Sequence, residues 1–151
     1  MEVSILFVDD EPQVLRALAR SLKGEQYTLA FSGDPLDALA RLTERPFDIV
    51  VSDYMMPNMT GVELLTRVHE CRPATLRMMM TGHADKQATI MAINEGAICH
   101  YLEKPWSDAE LKSVLRDAAQ SVAVQRAARA AAPDLAAAAR RFGRMQFRGS
   151  A

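Results

Sequence analysis

Four short stretches of this chain hold side chains that could do chemistry together. Val8-Asp9-Asp10-Glu11 brings paired carboxylates, and Ser52-Asp53-Tyr54-Met55-Met56-Pro57 brings another. Met80-Thr81-Gly82 adds a hydroxyl, and Tyr101-Leu102-Glu103-Lys104-Pro105 adds a phenol and an ammonium. Crowded carboxylates raise one another's pKa unless a cation sits among them. Oxygen-only donors suit a hard cation, and Mg2+ binds through one or two carboxylates while keeping waters and a phosphate oxygen. A nearby lysine is a point charge for an anion. Aspartate is a nucleophile of the kind that forms an aspartyl phosphate. In such chemistry the protein supplies positioning and charge neutralisation.

Each residue alone has a plainer reading. Asp53 could be a turn or N-cap aspartate, Asp9 and Asp10 could cap a helix, Thr81 could be an N-cap, and Lys104 a solvated lysine. Tyr101 could be a core tyrosine with its hydroxyl in water. The chemical reading requires the elements between them to bring these side chains to one place.

The hydrophobic pattern does so. Val3–Val8 and Ile49–Val51 are apolar runs of the kind found in parallel strands covered on both faces. Tyr27–Ala30, Leu76–Met80 and Ala97–Leu102 complete five predicted strands. Between them lie helices: one opened by Pro12 and closed near Gly24, one opened by Asp34-Pro35, one from Val62 to Arg72-Pro73, and one from Asp85 to Glu95. Ser107-Asp108-Ala109-Glu110 is a capping-box pattern that opens a fifth helix. Strand then helix, five times, predicts an α/β doubly wound parallel sheet in the flavodoxin-like order 2-1-3-4-5. Ligands bind beyond the carboxyl ends of such strands, which is where Asp9, Asp10, Asp53, Thr81 and Lys104 all fall.

Composition excludes other classes. The 151 residues are 49% apolar and 25% charged, with a formal net charge of −1, ordinary for one globular domain. No apolar run approaches the roughly 20 residues of a membrane span. Met1-Glu2-Val3-Ser4 carries no basic n-region, so a cytoplasmic protein is expected. Cys71 and Cys99 match no metal or redox spacing and read as buried, reduced thiols. His69, His83 and His100 show no metal spacing. Most methionines read as core filler.

Those motifs, with Gly61, resemble the receiver domain of two-component response regulators over about residues 3–118. The resemblance implies a phosphorylation-dependent signalling switch, not a classical enzyme, that takes a phosphoryl group from a histidine kinase or phosphotransfer protein. Asp53 would be the phosphoacceptor, Lys104 would contact the phosphoryl oxygens, and Thr81 would hydrogen-bond them. Mg2+ would be held by Asp10 directly, Asp9 through water, Asp53 and the Met55 carbonyl. Tyr101 would be the coupled aromatic switch. The face of the fourth helix and fifth strand would report the change, and a homodimer through that face is implied. Lys104-Pro105-Trp106 is similar to receivers fused to phosphohydrolase domains, transcription activators or kinases, and does not choose among these outputs.

Residues 1–120 form the expected receiver unit, and residues 121–151 an Ala/Arg-rich helical tail or linker. The first segment carries 12 Lys/Arg against 18 Asp/Glu, whereas the second carries six Arg against Asp134 alone. The apolar stripe Leu111, Val114, Leu115, Ala118 and Val122 weakens toward Gln125, and Pro133 is expected to break the helix. Beyond Val122 the helix is expected to project outward or to pair with a partner. Its arginines form no single stripe, which favours a solvated extension over a nucleic-acid arm. Two further functions remain open at this level: an autonomous Mg2+ phosphatase, and a binding module that needs no phosphorylation. Haloacid-dehalogenase-type phosphatases need a second aspartate two residues past the nucleophile, and here that position is Met55.

Overall fold

A computed structural model describes the backbone of residues 2–96 and 98–149, and the side chains of residues 2–96 and 98–131. The element order is β1 (Val3–Val8), α1 (Pro12–Ser21), β2 (Tyr27–Ser32), α2 (Pro35–Glu44), β3 (Ile49–Asp53), α3 (Gly61–Cys71), β4 (Leu76–Thr81), α4 (Lys86–Asn94), β5 (His100–Glu103) and α5 (Asp108–Gly149). A 3-10 turn, His83–Asp85, precedes α4. The strands form one parallel sheet in the order β2-β1-β3-β4-β5, as the alternation predicts.

Both faces of the sheet are dry because successive strand residues point to opposite sides. Ile5, Phe7, Ile49, Val51, Met78 and Met80 pack with Leu18 of α1, Leu22 just past its end, and Leu111, Leu115, Ala118 and Val122 of α5. Leu6, Val8, Val50 and Met79 pack on the other face with Ala38, Leu42, Leu64, Leu65, Val68 and Ala92 from α2, α3 and α4. Each fully buried aliphatic side chain of this kind contributes about 1.5–3 kcal/mol.

Local chemistry sets the helix starts. Pro12 and Pro35 occupy first-turn positions, and the Asp34 carboxylate accepts from Leu36 N at 3.0 Å. Thr60 caps α3 by accepting from Glu63 N at 3.2 Å. Ser107 Oγ accepts from Glu110 N at 3.1 Å, the Ser half of the predicted capping box.

Several expectations are corrected. β5 begins at His100, later than expected, and Ala97 lies outside the described residues. Cys71 and Cys99 are exposed, not buried. Cys71 is the last residue of α3, beyond the sheet it packs on, and Cys99 follows the inward-facing Ile98. Met55 and Met91 are 60% exposed, while Met56, Met59, Met78, Met79 and Met80 are core. α5 runs on through Pro133. Proline's fixed φ of about −65° is itself helical, and the surrounding Ala and Arg residues are strong helix formers. The side chains of residues 132–149, including Asp134, lie outside the described ones.

The segment beyond Val122 does not simply project into solvent. Arg126 Nη2 donates to Asp48 Oδ2 at 2.6 Å. Asp48 stands just ahead of β3 and also accepts from Ser4 N at 2.9 Å and Ser4 Oγ at 3.1 Å. No helix among the described residues is long and apolar enough to cross a membrane.

Candidate functional site

The strand register aligns the chemistry. Val8 pairs with Ser52, Asp53 with Met80, and Thr81 with Glu103, so the residues that end these strands lie along one edge. Three backbone bonds carry the alignment past the strand ends: Asp9 N to Ser32 O at 3.1 Å, Tyr54 N to Met80 O at 3.1 Å, and Lys104 N to Thr81 O at 2.8 Å. The Lys104–Pro105 peptide bond is cis.

At this edge one ammonium bridges two carboxylates. Lys104 Nζ donates to Asp9 Oδ2 and to Asp53 Oδ1, each at 3.0 Å. Asp9 is fully buried, Asp53 nearly so, and Asp10 exposed. Asp9 Oδ1 accepts from Glu11 N at 2.9 Å, and Asp53 Oδ1 from Tyr54 N at 2.9 Å. Asp9 therefore belongs to the cluster instead of capping α1, whose N-cap is Glu11 without a side-chain bond.

Charge is out of balance here. Among the described residues three carboxylates gather and one ammonium bonds two of them, an excess of two negative charges when all three are ionised. Burial, the largest influence, pushes the Asp53 carboxyl above its ordinary value; Asp9 adds to this, and Lys104 and the Tyr54 N–H oppose it without overcoming it. Burial also acts to lower the Lys104 ammonium, but its bonds and attraction to Asp53 and Asp9 outweigh that and raise it. Ligand oxygens of Asp9, Asp10 and Asp53 all lie within 4.8 Å of one another. An all-oxygen donor set with two charges to neutralise fits a divalent hard cation.

A glycine shapes the backbone that follows Asp53. Gly61 N donates to Tyr54 O at 2.8 Å, and a Cβ at Gly61 would collide with the Asp53 carbonyl. The intervening loop turns at Asn58, whose φ of 73° is a region asparagine tolerates better than most residues. Met55 lies in this loop, two residues past Asp53.

Neither Thr81 nor Tyr101 has a side-chain bond to the cluster among the described residues. Thr81 is fully buried at the end of β4, and its Oγ1 donates to Gly82 O at 3.3 Å. Tyr101 is half-buried and lines a cavity of about 480 Å³ between β5 and α5. His83 is 92% exposed, 3.3 Å from Glu103, as a solvent-facing loop histidine would be. A buried polar residue bonded to Thr81 was not anticipated. Thr89 of α4 is fully buried and donates to Thr81 Oγ1 at 3.0 Å. Its only signal in the sequence is a hydroxyl on the stripe Thr89, Ala92, Ile93.

The family model described as response regulator receiver domain matches residues 5–116. The chain belongs to that family. Hydrogenase transcriptional regulatory protein HoxA of Cupriavidus necator is 34% identical over 124 residues, 82% of this chain and 26% of the relative. The signal receiver domain of an HD domain-containing protein from Pseudomonas fluorescens Pf-5 is 40% identical, with a TM-score of 0.76 over 82% of this chain and 99% of that one. A response regulator receiver domain protein from Clostridium thermocellum is 26% identical, with a TM-score of 0.75 over 81% of this chain and 98% of that one. The chain spans about a quarter of the length of the HoxA and ZraR relatives, which are named transcriptional regulatory proteins.

Proposed function

We propose that this receiver is a phosphoryl-accepting switch with Asp53 as the acceptor. The observation that carries the reading is the shared ammonium: Lys104 holds Asp9 and Asp53 together at 3.0 Å while two negative charges stay unbalanced. An Asp53 carboxylate oxygen attacks phosphorus of a phosphohistidine. The P–N bond breaks as the P–O bond forms, and the imidazole leaves with a proton. Water later attacks the same phosphorus, breaks the P–O bond, and returns the carboxylate and inorganic phosphate. The chain's chemistry is limited to these two steps on itself.

Asp10, Asp9, Asp53 and the Met55 carbonyl would hold Mg2+, which supplies charge neutralisation for the transferring group. Lys104 moves from its two carboxylates to the phosphoryl oxygens. Thr81 turns to donate to one of them, and Tyr101 follows into the space vacated. The face of α4 and β5 then presents a different surface to a partner or to a second copy.

A histidine kinase or phosphotransfer protein supplies the phosphoryl group. Output passes to a partner or to an effector domain joined through residues 121–151, which we read as a helical linker following the receiver unit of residues 1–120. Transcription control is the output that the relatives' names favour. Transfer from a phosphohistidine donor tests the reading. Label should move to the wild type and not to Asp53→Asn; label retained by Asp53→Asn would contradict it.

A further inference from the structure

Thr89 stands outside the roles assigned so far. It is fully buried on α4, and its Oγ1 has one proton but three acceptors in reach: Thr81 Oγ1 at 3.0 Å, Asp85 O at 3.1 Å and Met79 Sδ at 3.6 Å. Asp85 O is the carbonyl four residues earlier, the usual partner of a threonine within a helix. The bond to Thr81 is therefore not needed to satisfy Thr89. It ties α4 to the residue whose movement the switch requires. Thr81 has its side-chain bonds to Gly82 O and Thr89, and none among the described residues to Asp53 or Lys104.

We propose that Thr89 is a positioning residue that retains the Thr81 hydroxyl on the α4 side and so sets the balance between resting and active receiver. The inference rests on the reading of Asp53 as phosphoacceptor. When Thr81 turns to a phosphoryl oxygen, its bond to Thr89 breaks. Thr89's single proton then turns to Asp85 O, so no buried hydroxyl is orphaned, and the switch gives up at most one ordinary net hydrogen bond and not a full desolvation penalty. One such bond shifts a two-state equilibrium by a factor of about five. Linkage is reciprocal, so whatever moves α4 also biases Thr81.

The test uses Mg2+ with beryllofluoride, a phosphoryl mimic, titrated into the full chain by calorimetry. Thr89→Val removes the hydroxyl while filling its space, and should tighten beryllofluoride about five-fold. Thr89→Ser keeps the hydroxyl and should bind like the wild type. In a Thr81→Ala background the effect of Thr89→Val should vanish, because there is no Thr81 hydroxyl left to retain. Thr89→Ala, which also lacks the hydroxyl, is measured in parallel so that misfolding of one variant leaves the other decisive. Unchanged affinity in folded Thr89→Val or Thr89→Ala, with the wild type binding, would overturn the inference alone. The same tightening with Thr81→Ala present would show that Thr89 acts only through packing, and would also overturn it. Failure of the wild type to bind would overturn the phosphoacceptor reading, and this inference with it.

Discussion

The two ends of the sheet solve opposite problems with similar parts. At the amino end Asp48 accepts from Ser4 N, Ser4 Oγ and Arg126, one carboxylate against one guanidinium. At the carboxyl end Asp9, Asp10 and Asp53 gather, and among the described residues Lys104 is the cation that bonds two of them, Asp9 and Asp53. The first arrangement meets its carboxylate with a cation and ties α5 to the start of β3. The second is unbalanced and still calls for a cation. Cavity size does not find the site, because the cavity of about 740 Å³ lies beside Arg126 and Arg72, and the one of about 470 Å³ is lined by Lys104 and Trp106 but by none of the three carboxylates. Among these charges, imbalance marks the site and balance marks a brace.

Asp53→Asn separates the two ends most sharply. It should abolish phosphorylation entirely, read by transfer from a phosphohistidine donor, while leaving the Asp48 brace untouched. Its effect on stability has the opposite sign. Asp53's carboxyl is raised, first by burial, so the metal-free fold binds its proton more tightly than the unfolded chain does. The charged form therefore costs stability at neutral pH, and that cost fades as pH falls through the Asp53 range. Without Mg2+, Asp53→Asn should melt above the wild type at pH 7, and the gap should close in acid. A gap that persists unchanged in acid would break the electrostatic account.

Mg2+ should stabilise only the unbalanced end. At one hundred times its dissociation constant, a one-site ligand adds about 2.7 kcal/mol to unfolding. Thermal melts should show that gain in the wild type and its loss in Asp10→Ala. Gly61→Ala comes next, because its methyl must displace the Asp53 carbonyl; overpacking of this kind costs about 1–3 kcal/mol, read by urea unfolding. Arg126→Ala should have the smallest effect, about 1 kcal/mol for a partly screened pair, with phosphorylation unchanged. Loss of phosphorylation in Arg126→Ala would erase the distinction between brace and site.

The carboxyl end was legible in the sequence for a physical reason. Each candidate residue stands at or just past the end of a predicted strand, so the strand–helix alternation alone carries Asp9, Asp53, Thr81 and Lys104 to one edge. The amino end was not legible, because Asp48 and Arg126 are 78 positions apart and each looks like an ordinary surface charge. Thr89 hid for a related reason: a threonine on an apolar stripe looks like filler until its distance to Thr81 is measured. Pro133 misled in the other direction, since its missing N–H argues for a break while its φ permits the helix to continue. Cys71 and Cys99 were assigned to the core by residue type, but one ends its helix beyond the sheet and the other follows an inward-facing neighbour.

Intact mass after incubation with acetyl phosphate tests the central claim most directly. With Mg2+ present, the wild type should gain about 80 Da, one phosphoryl group on its nucleophile; without Mg2+, or with Asp53→Asn, it should gain nothing. The same gain in folded Asp53→Asn, or an equal gain without Mg2+, would contradict the account.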